Sequence, residues 1–445
     1  MRDLFAAIGV LVILSTVMLV TKLFANRLSG EGSRKIIHIT MGCIALSLPY
    51  VFIHRLSVLY LGVAAIAMLL LLRLNKNLRN GIGTALLGIS RKSFGEIYFV
   101  ISIVFVYMLH KSTFEYLIPI LVLTFADSTA ALIGTSYGRY NMAHSREDSK
   151  SREGSAMFFI VAFICTLVPL QLMTEIGRAE VLVISFLIGM LAAMIEAVSA
   201  NGNDNLLLPL LTYSFIRYNT DQSLMQMFTN FGTMLFFLVA TLLVYKITNI
   251  TKLSIAYSLL VGYVVMILGG PYWVMPPLML LLMFGIMPMM KDEERQMIQT
   301  YKVIESNTLV GVLCLYFSVF FPQYRDILYV AFSFTFACLL AINTYSRFVN
   351  FFNAGMRFAV ACGLAKAVVF IVLPTLLLTR VHWLSIVIYL VFLAAAIPPA
   401  VYLNKKYDYK NVGDETFRAN MILTGALAVA LSVSLLAAGV MNGIS

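Results

Sequence analysis

Charge is scarce in this sequence. Only 12% of its 445 residues are charged, while 60% are hydrophobic. A soluble domain carries about 25% charged and 45–50% apolar residues, so an ordinary water-soluble domain is excluded. Cysteine is also sparse. Cys43, Cys165, Cys314, Cys338 and Cys362 all lie inside apolar runs, with no pair at metal-binding spacing. They read as small buried hydrophobes rather than disulfides or zinc ligands. The chain also lacks the period-two alternation of a membrane β-barrel. Its first apolar run, near residues 4–24, lacks the marks of a cleaved secretory signal. Arg2 and Asp3 cancel ahead of it, and no small-residue cleavage pattern follows. It is expected to be a first membrane helix.

Long apolar runs are what the sequence has in abundance. Runs near twenty residues recur from end to end, each long enough to cross a ~30 Å hydrocarbon core. The fold class expected is an all-α polytopic membrane protein with about sixteen transmembrane helices. The net charge of +11 serves better as a topology signal than as a sign of a nucleic-acid partner. Alternating the loops places twenty-three of the 32 basic residues on one side and seven on the other. By the positive-inside rule the first side is cytoplasmic, in a multi-pass protein of the cell membrane with both termini outside. Polar content near membrane depth concentrates before residue 215. The division expected is therefore a chemistry-bearing bundle over residues 1–225 and a second helical bundle over 226–445.

Four polar clusters stand in the first part. Ser33-Arg34-Lys35-Ile36-Ile37-His38-Ile39-Thr40-Met41-Gly42 enters the second run. Arg34 or Lys35, His38 and Gly42 share one helix face at spacings of three to four residues. Taken alone, two topology-setting cations and a packed histidine account for that pattern. In Ser93-Phe94-Gly95-Glu96, Glu96 suits an ordinary helix N-terminus.

The third cluster begins at Asp127, which closes the apolar run from Tyr116. A carboxylate there costs ~2.5–3.5 kcal/mol on insertion scales, which marks it as a functional-site candidate. Ala130, Gly134 and Gly138 follow at helical spacing and suit close helix packing. Packing explains the small residues and leaves the aspartate unexplained. The loop over residues 139–154 then ends in Lys150-Ser151-Arg152-Glu153-Gly154. Mg²⁺ takes hard oxygen ligands, usually one or two carboxylates plus substrate phosphates. Asp127 offers the carboxylate. Lys150, Ser151 and the backbone amides near Gly154 suit the phosphates. In the fourth cluster Glu196 ends an apolar helix, a Gly/Asn turn follows, and Asp204-Asn205 precede a run broken by Pro209. All four emerge on the same expected face, which predicts a single site there.

These residues resemble the CTP-dependent lipid-alcohol kinases, the dolichol kinase and phytol kinase family, distant relatives of CDP-diacylglycerol synthase. The family's Arg-Lys-x-x-His-x-x-x-Gly element is matched by Arg34, Lys35, His38 and Gly42. Its Asp-x-x-Ala-x-x-x-Gly-x-x-x-Gly element is matched by Asp127, Ala130, Gly134 and Gly138. A Lys-Lys-Thr-x-Glu-Gly element appears as Ser149-Lys150-Ser151-Arg152-Glu153-Gly154, with Ser149 replacing the first lysine. The closing Glu…Asp-Asn…Pro element is matched by Glu196, Asp204, Asn205 and Pro209.

The resemblance implies phosphoryl transfer from CTP, or another nucleoside triphosphate, to a membrane-embedded isoprenoid alcohol such as phytol, geranylgeraniol or dolichol. It implies Mg²⁺ at Asp127, with Glu196 or Asp204 as a second acidic contact and Asn205 beside them. Lys150, Ser151 and the Gly154 amide region would meet the nucleotide phosphates, with Glu153, Gly134 and Gly138 also in the nucleotide-binding set. Arg34 and Lys35 would hold the β- and γ-phosphates, and His38 or Glu96 would accept the alcohol proton. Two other readings stay open on the sequence. One is a cytidylyltransferase of the CDP-diacylglycerol synthase type. The other is a lipid or small-molecule transporter, whose polar groups would sit nearer the bilayer midplane between repeats.

Overall fold

The structure is a computed structural model and describes residues 2–23, 30–75, 94–138, 150–199, 202–247, 252–285, 301–378 and position 429. The runs expected near 382–403 and, apart from position 429, near 419–440 lie outside the described residues, as do residues 76–93 and 139–149. Helices make up the regular structure among the described residues, and no strand is found there. This is what lipid demands, because each helix satisfies its own backbone hydrogen bonds. Among the described residues, seven helices are long and apolar enough to cross a membrane, and six shorter apolar ones have 10–17 residues. Several runs form helices shorter than a bilayer: Gly95–Leu109 has 15 residues, ~22 Å of helix against a ~30 Å core.

The chain forms two compact units, Met1–Phe231 and Gly232–Ser445. The first contains α1 (Arg2–Leu23), α2 (Gly30–Val51), α3 (Arg55–Leu74), α4 (Gly95–Leu109) and α5 (Thr113–Leu121). A π-helical turn, Val122–Ala126, joins α5 to α6 (Asp127–Tyr137). Then come α7 (Arg152–Met173), α8 (Arg178–Val198) and α9 (Asp204–Thr220).

Polar groups tie the helix ends of this unit together. Asp3 accepts hydrogen bonds from the backbone amides of Ile53 and His54 and from Ser57 Oγ, at 3.1, 3.0 and 2.8 Å. They pin the start of α1 to the α2–α3 turn. Arg55 donates to the carbonyls of Met108 and His110 at 3.0 and 2.7 Å, so a cation covers the C-terminal carbonyls of α4. Ser112 and Glu115 form a capping box that starts α5. Between these ends the packing is apolar and close. Tyr116, Ile118, Ile120, Val122 and Leu123 are fully buried along the α5–α6 span.

The second unit begins within α10 (Leu224–Ile247) and continues through α11 (Lys252–Gly269), α12 (Pro271–Gly285), α13 (Tyr301–Phe320), α14 (Arg325–Phe352), α15 (Met356–Ala367) and α16 (Leu373–Leu378). Arg325 donates to the Gly269 carbonyl at 2.8 Å and lies over the Trp273 ring. Helix α14 ends on Asn353 in the left-handed conformation, which asparagine tolerates better than most residues. Its last turns bury Asn343, Thr344 and Arg347.

Candidate functional site

Asp127 follows directly on the π-helical turn of the α5–α6 span. Such a turn alters the backbone hydrogen-bond register, and π-bulges are frequent at functional sites. Side chains here take up the local carbonyls. His38 Nε2 reaches the Leu123 carbonyl at 3.2 Å, Ser128 Oγ donates to Thr124 at 2.7 Å, and Thr129 Oγ1 donates to Phe125 at 2.7 Å. A carbonyl only accepts, so Nε2 carries the proton in that bond and Nδ1 is left as the ring's acceptor. A Cβ on Gly42 would run into the Thr124 side chain, so glycine lets α2 approach the π turn. Lys35, one turn before His38, puts Nζ 2.7 Å from Asp127 Oδ2 and 3.4 Å from the Asp127 carbonyl. His38 Nε2 stands 3.5 Å from the same carboxylate oxygen.

The second centre forms where α7 meets α8. Lys150 Nζ lies 3.1 Å from Glu196 Oε1 and also donates to the Glu196 carbonyl. Ser155 Oγ donates to Glu196 Oε2 at 3.2 Å. Ser151 is the N-cap of α7, its hydroxyl accepting from the Gly154 amide at 3.0 Å. The small face of α6 packs on this cap. A Cβ at Gly154 would lie 3.0 Å from both the Ala130 carbonyl and Ser151 Oγ, and 3.4 Å from the Gly134 Cα. A Cβ at Gly138 would lie 2.8 Å from Ser151 Cβ. The glycines singled out in the sequence therefore set the close approach of α6 to the start of α7. Glu153 sits in the first turn of α7.

The remaining residues link these centres through α4 and α9. Asn205 is buried and donates to the Gly95 carbonyl at 3.0 Å, joining the start of α9 to the start of α4. Asp204 Oδ1 accepts from the Asn205 amide at 3.0 Å. One turn into α4, the Phe99 ring meets the His38 ring edge-on at 4.9 Å. The chain of contacts runs from Asn205 through α4, His38, Asp127 and the α6–α7 crossing to Lys150 and Glu196. All four sequence clusters thus meet at one end of the first unit.

Two expectations fare differently in detail. Glu96 binds Arg73 Nη2 at 3.2 Å, and Arg73 covers the Phe94 ring at 4.4 Å. Of the two suggested proton acceptors, only His38 touches the Asp127 cluster. Asp127, Glu196 and Asp204 form no three-ligand metal group among the described residues. They stand on three helices, and Asp127 and Glu196 each face a lysine. The side chain of Arg34 and the residue Ser149 lie outside the described set.

The chain matches a known protein along much of that protein's length. A phytol kinase of Synechocystis sp. is 30% identical over 218 residues, spanning 46% of this chain and 88% of the relative. The chain belongs to the phytol kinase family. No family model matches it, nor does any solved structure.

In this member of the phytol kinase family, reading the sequence missed some partners of the site. Arg73 was not among the candidate site residues, yet it pairs with Glu96. Ser155 lies one turn beyond the Ser151 cap and binds Glu196. Its i+4 spacing from Ser151 was the available signal. Phe99 had no signal, because it sits in an unbroken apolar run.

Proposed function

We propose that this protein is a membrane-embedded kinase that transfers the γ-phosphate of CTP, or another nucleoside triphosphate, to the hydroxyl of an isoprenoid alcohol such as phytol, geranylgeraniol or dolichol. The carrying observation is the pairing of Lys35 and His38 with Asp127 at 2.7 and 3.5 Å. The Lys150–Glu196 pair and the capped start of α7 lie beside it. The similarity to a phytol kinase supports the same reading. The site faces the cytoplasm, where the nucleotide is found, and the alcohol arrives through the bilayer.

The residues fit Mg²⁺ in a limited way. Asp127 Oδ2 is engaged by Lys35, while Oδ1 has no hydrogen bond among the described residues. Mg²⁺ commonly binds through one carboxylate together with substrate phosphates, so Asp127 suffices as the protein's direct ligand. Glu196 and Asp204 stand by as outer acidic contacts. When bound, the ion neutralises charge on the phosphates.

Catalysis of phosphoryl transfer is mainly positioning and charge stabilisation. Lys35 and Lys150 are the cations for this role. Each is parked on a carboxylate and moves to the phosphates when the nucleotide enters. Arg34 adds charge at the same helix start. Ser151 and the first-turn amides of α7 meet phosphate oxygens. The alcohol oxygen attacks the γ-phosphorus, its bond to the bridging oxygen breaks, and the nucleoside diphosphate leaves. The alcohol proton passes to His38 Nδ1.

The test is incubation of purified protein with γ-labelled and cytidine-labelled CTP, Mg²⁺ and a panel of prenols. Label from the γ-position on the lipid is the expected result. Cytidine on the lipid with release of pyrophosphate would overturn it in favour of a cytidylyltransferase. No labelled lipid at all, with directional movement of lipid across vesicles, would point to a transporter.

A further inference from the structure

Above the His38–Asp127 cluster the first unit holds an apolar cavity between α1, α2, α3 and α4. Its volume is about 70 Å³, and it is partly open to the outside of the bundle. The lining includes Leu14, Met41, Ala45, Leu61, Ala65 and Phe99. The carbonyl of the lining residue Ala45 accepts from the buried Tyr116 hydroxyl at 2.8 Å. Small residues on α2 and α3 create the room.

Two relationships tie the cavity to the site. Phe99 lines it and holds the His38 ring at 4.9 Å, so one ring separates the cavity from the imidazole. Met41 follows His38 by one turn on α2, and the lining continues to Leu48. From Lys35 to Leu48 the helix rises ~20 Å. The cavity therefore runs along α2 away from the ion pairs and into the apolar middle of the bundle. Beyond it the bundle is closed by Asp3 bound to the α2–α3 turn.

We infer that this cavity is the berth of the alcohol's isoprenoid chain, with Phe99 at its mouth and the small positions Ala45 and Ala65 setting the chain it admits. The inference rests on the kinase reading for the identity of its occupant. The geometry suits it: a hydroxyl beside His38 leaves a tail that must go somewhere apolar. An ordinary phospholipid tail would enter from the open side with no headgroup near His38.

The experiment uses the full chain in lipid nanodiscs with a diazirine-bearing geranylgeraniol as the probe. Crosslinks are expected at Met41, Ala45, Leu61 and Ala65, displaced by geranylgeraniol and not by added phosphatidylcholine. Labelling spread over the outward faces of α1 and α3, or unaffected by geranylgeraniol, would overturn the proposal.

Two variants add a functional arm. Ala65→Phe fills the cavity and is expected to raise KM for phytol and geranylgeraniol about tenfold, leaving geraniol little changed. Leu61→Ala enlarges it and is expected to move preference toward longer prenols. An unchanged chain-length profile in both folded variants would also overturn the proposal. Should Ala65→Phe not fold, Leu61→Ala and the crosslinks decide. An alcohol seated in the cavity but never phosphorylated would sink the kinase reading and leave the cavity assignment standing.

Discussion

Lys35 Nζ stands 2.7 Å from the carboxylate of Asp127, ninety-two residues further along the chain. The contact joins the start of α2 to the π turn that ends α5. It places a mutually neutralised pair where a lone carboxylate would cost ~2.5–3.5 kcal/mol. In the proposed mechanism the pair also stores both charges that phosphoryl transfer needs, an acid for the metal and an ammonium for the phosphates.

Replacing Asp127 with asparagine keeps the shape and removes the charge. Mg²⁺-dependent phosphorylation of the alcohol is expected to fall by at least about a hundredfold. Membrane insertion and the detergent-solubilised elution profile should be retained. Turnover near wild type in that variant would remove Asp127 from the mechanism.

Lys150 and Glu196 should behave as a coupled pair. Lys150→Met leaves Glu196 with Ser155 as its side-chain partner among the described residues, and Glu196→Gln weakens the hold on the ammonium. Thermal unfolding of the two singles and the double is expected to give a coupling energy of about 0.5–3 kcal/mol. Simple additivity would show that the contact contributes nothing. Nucleotide KM should rise with Lys150→Met more than with Glu196→Gln, because the lysine is assigned to the phosphates.

The crossing of α6 and α7 leaves no space for a methyl group. Gly154→Ala would press a Cβ to 3.0 Å from the Ala130 carbonyl and from Ser151 Oγ. A loss of about 1–3 kcal/mol is expected from such overpacking. Ser151→Ala, which removes only the cap, is expected to cost ~1 kcal/mol. Chemical denaturation in mixed micelles reads both. A Gly154→Ala protein as stable as wild type would show that the helices separate freely here.

His110 gives a pH dependence remote from the site. It lies between α4 and α5, with Nδ1 bonded to the Tyr107 carbonyl at 2.6 Å. Burial is the main cause that holds its imidazole below the ordinary value, and the nearby Arg55 charge pushes the same way. The unfolded chain therefore binds the proton more readily than the folded one. This contribution is fully present above the unfolded value of about 6.5 and is lost as pH falls below it. The melting temperature is expected to decline on acidification below pH ~6.5. His110→Gln should flatten that limb, and an unchanged limb would assign it to another group.

Much of the site was legible in the sequence because each cluster violated a local rule. Asp127 interrupts an apolar span, Lys35 and His38 share a face at helical spacing, and Glu196 ends a hydrophobic helix. Lipid makes such departures costly, so they stand out without any knowledge of the fold. The cap of α7 went unread, although Ser151 precedes Gly154 at the spacing of an N-cap bond. Other features follow ordinary patterns and gave no such signal. Arg73 is one more cation at a helix end, and Phe99 is one aromatic in an apolar run.

The sequence by itself determined that the protein is helical and built for lipid, since scarce charge and long apolar runs leave the backbone no other way to satisfy its hydrogen bonds. It also determined which side chains are too polar for their surroundings. The tertiary structure alone decided how those side chains pair: Lys35 with Asp127, Lys150 with Glu196, Arg73 with Glu96. It alone opened the apolar cavity beside Phe99. Pairing and cavities depend on which helix faces meet at a few ångströms, and periodicity along one helix does not encode its neighbour.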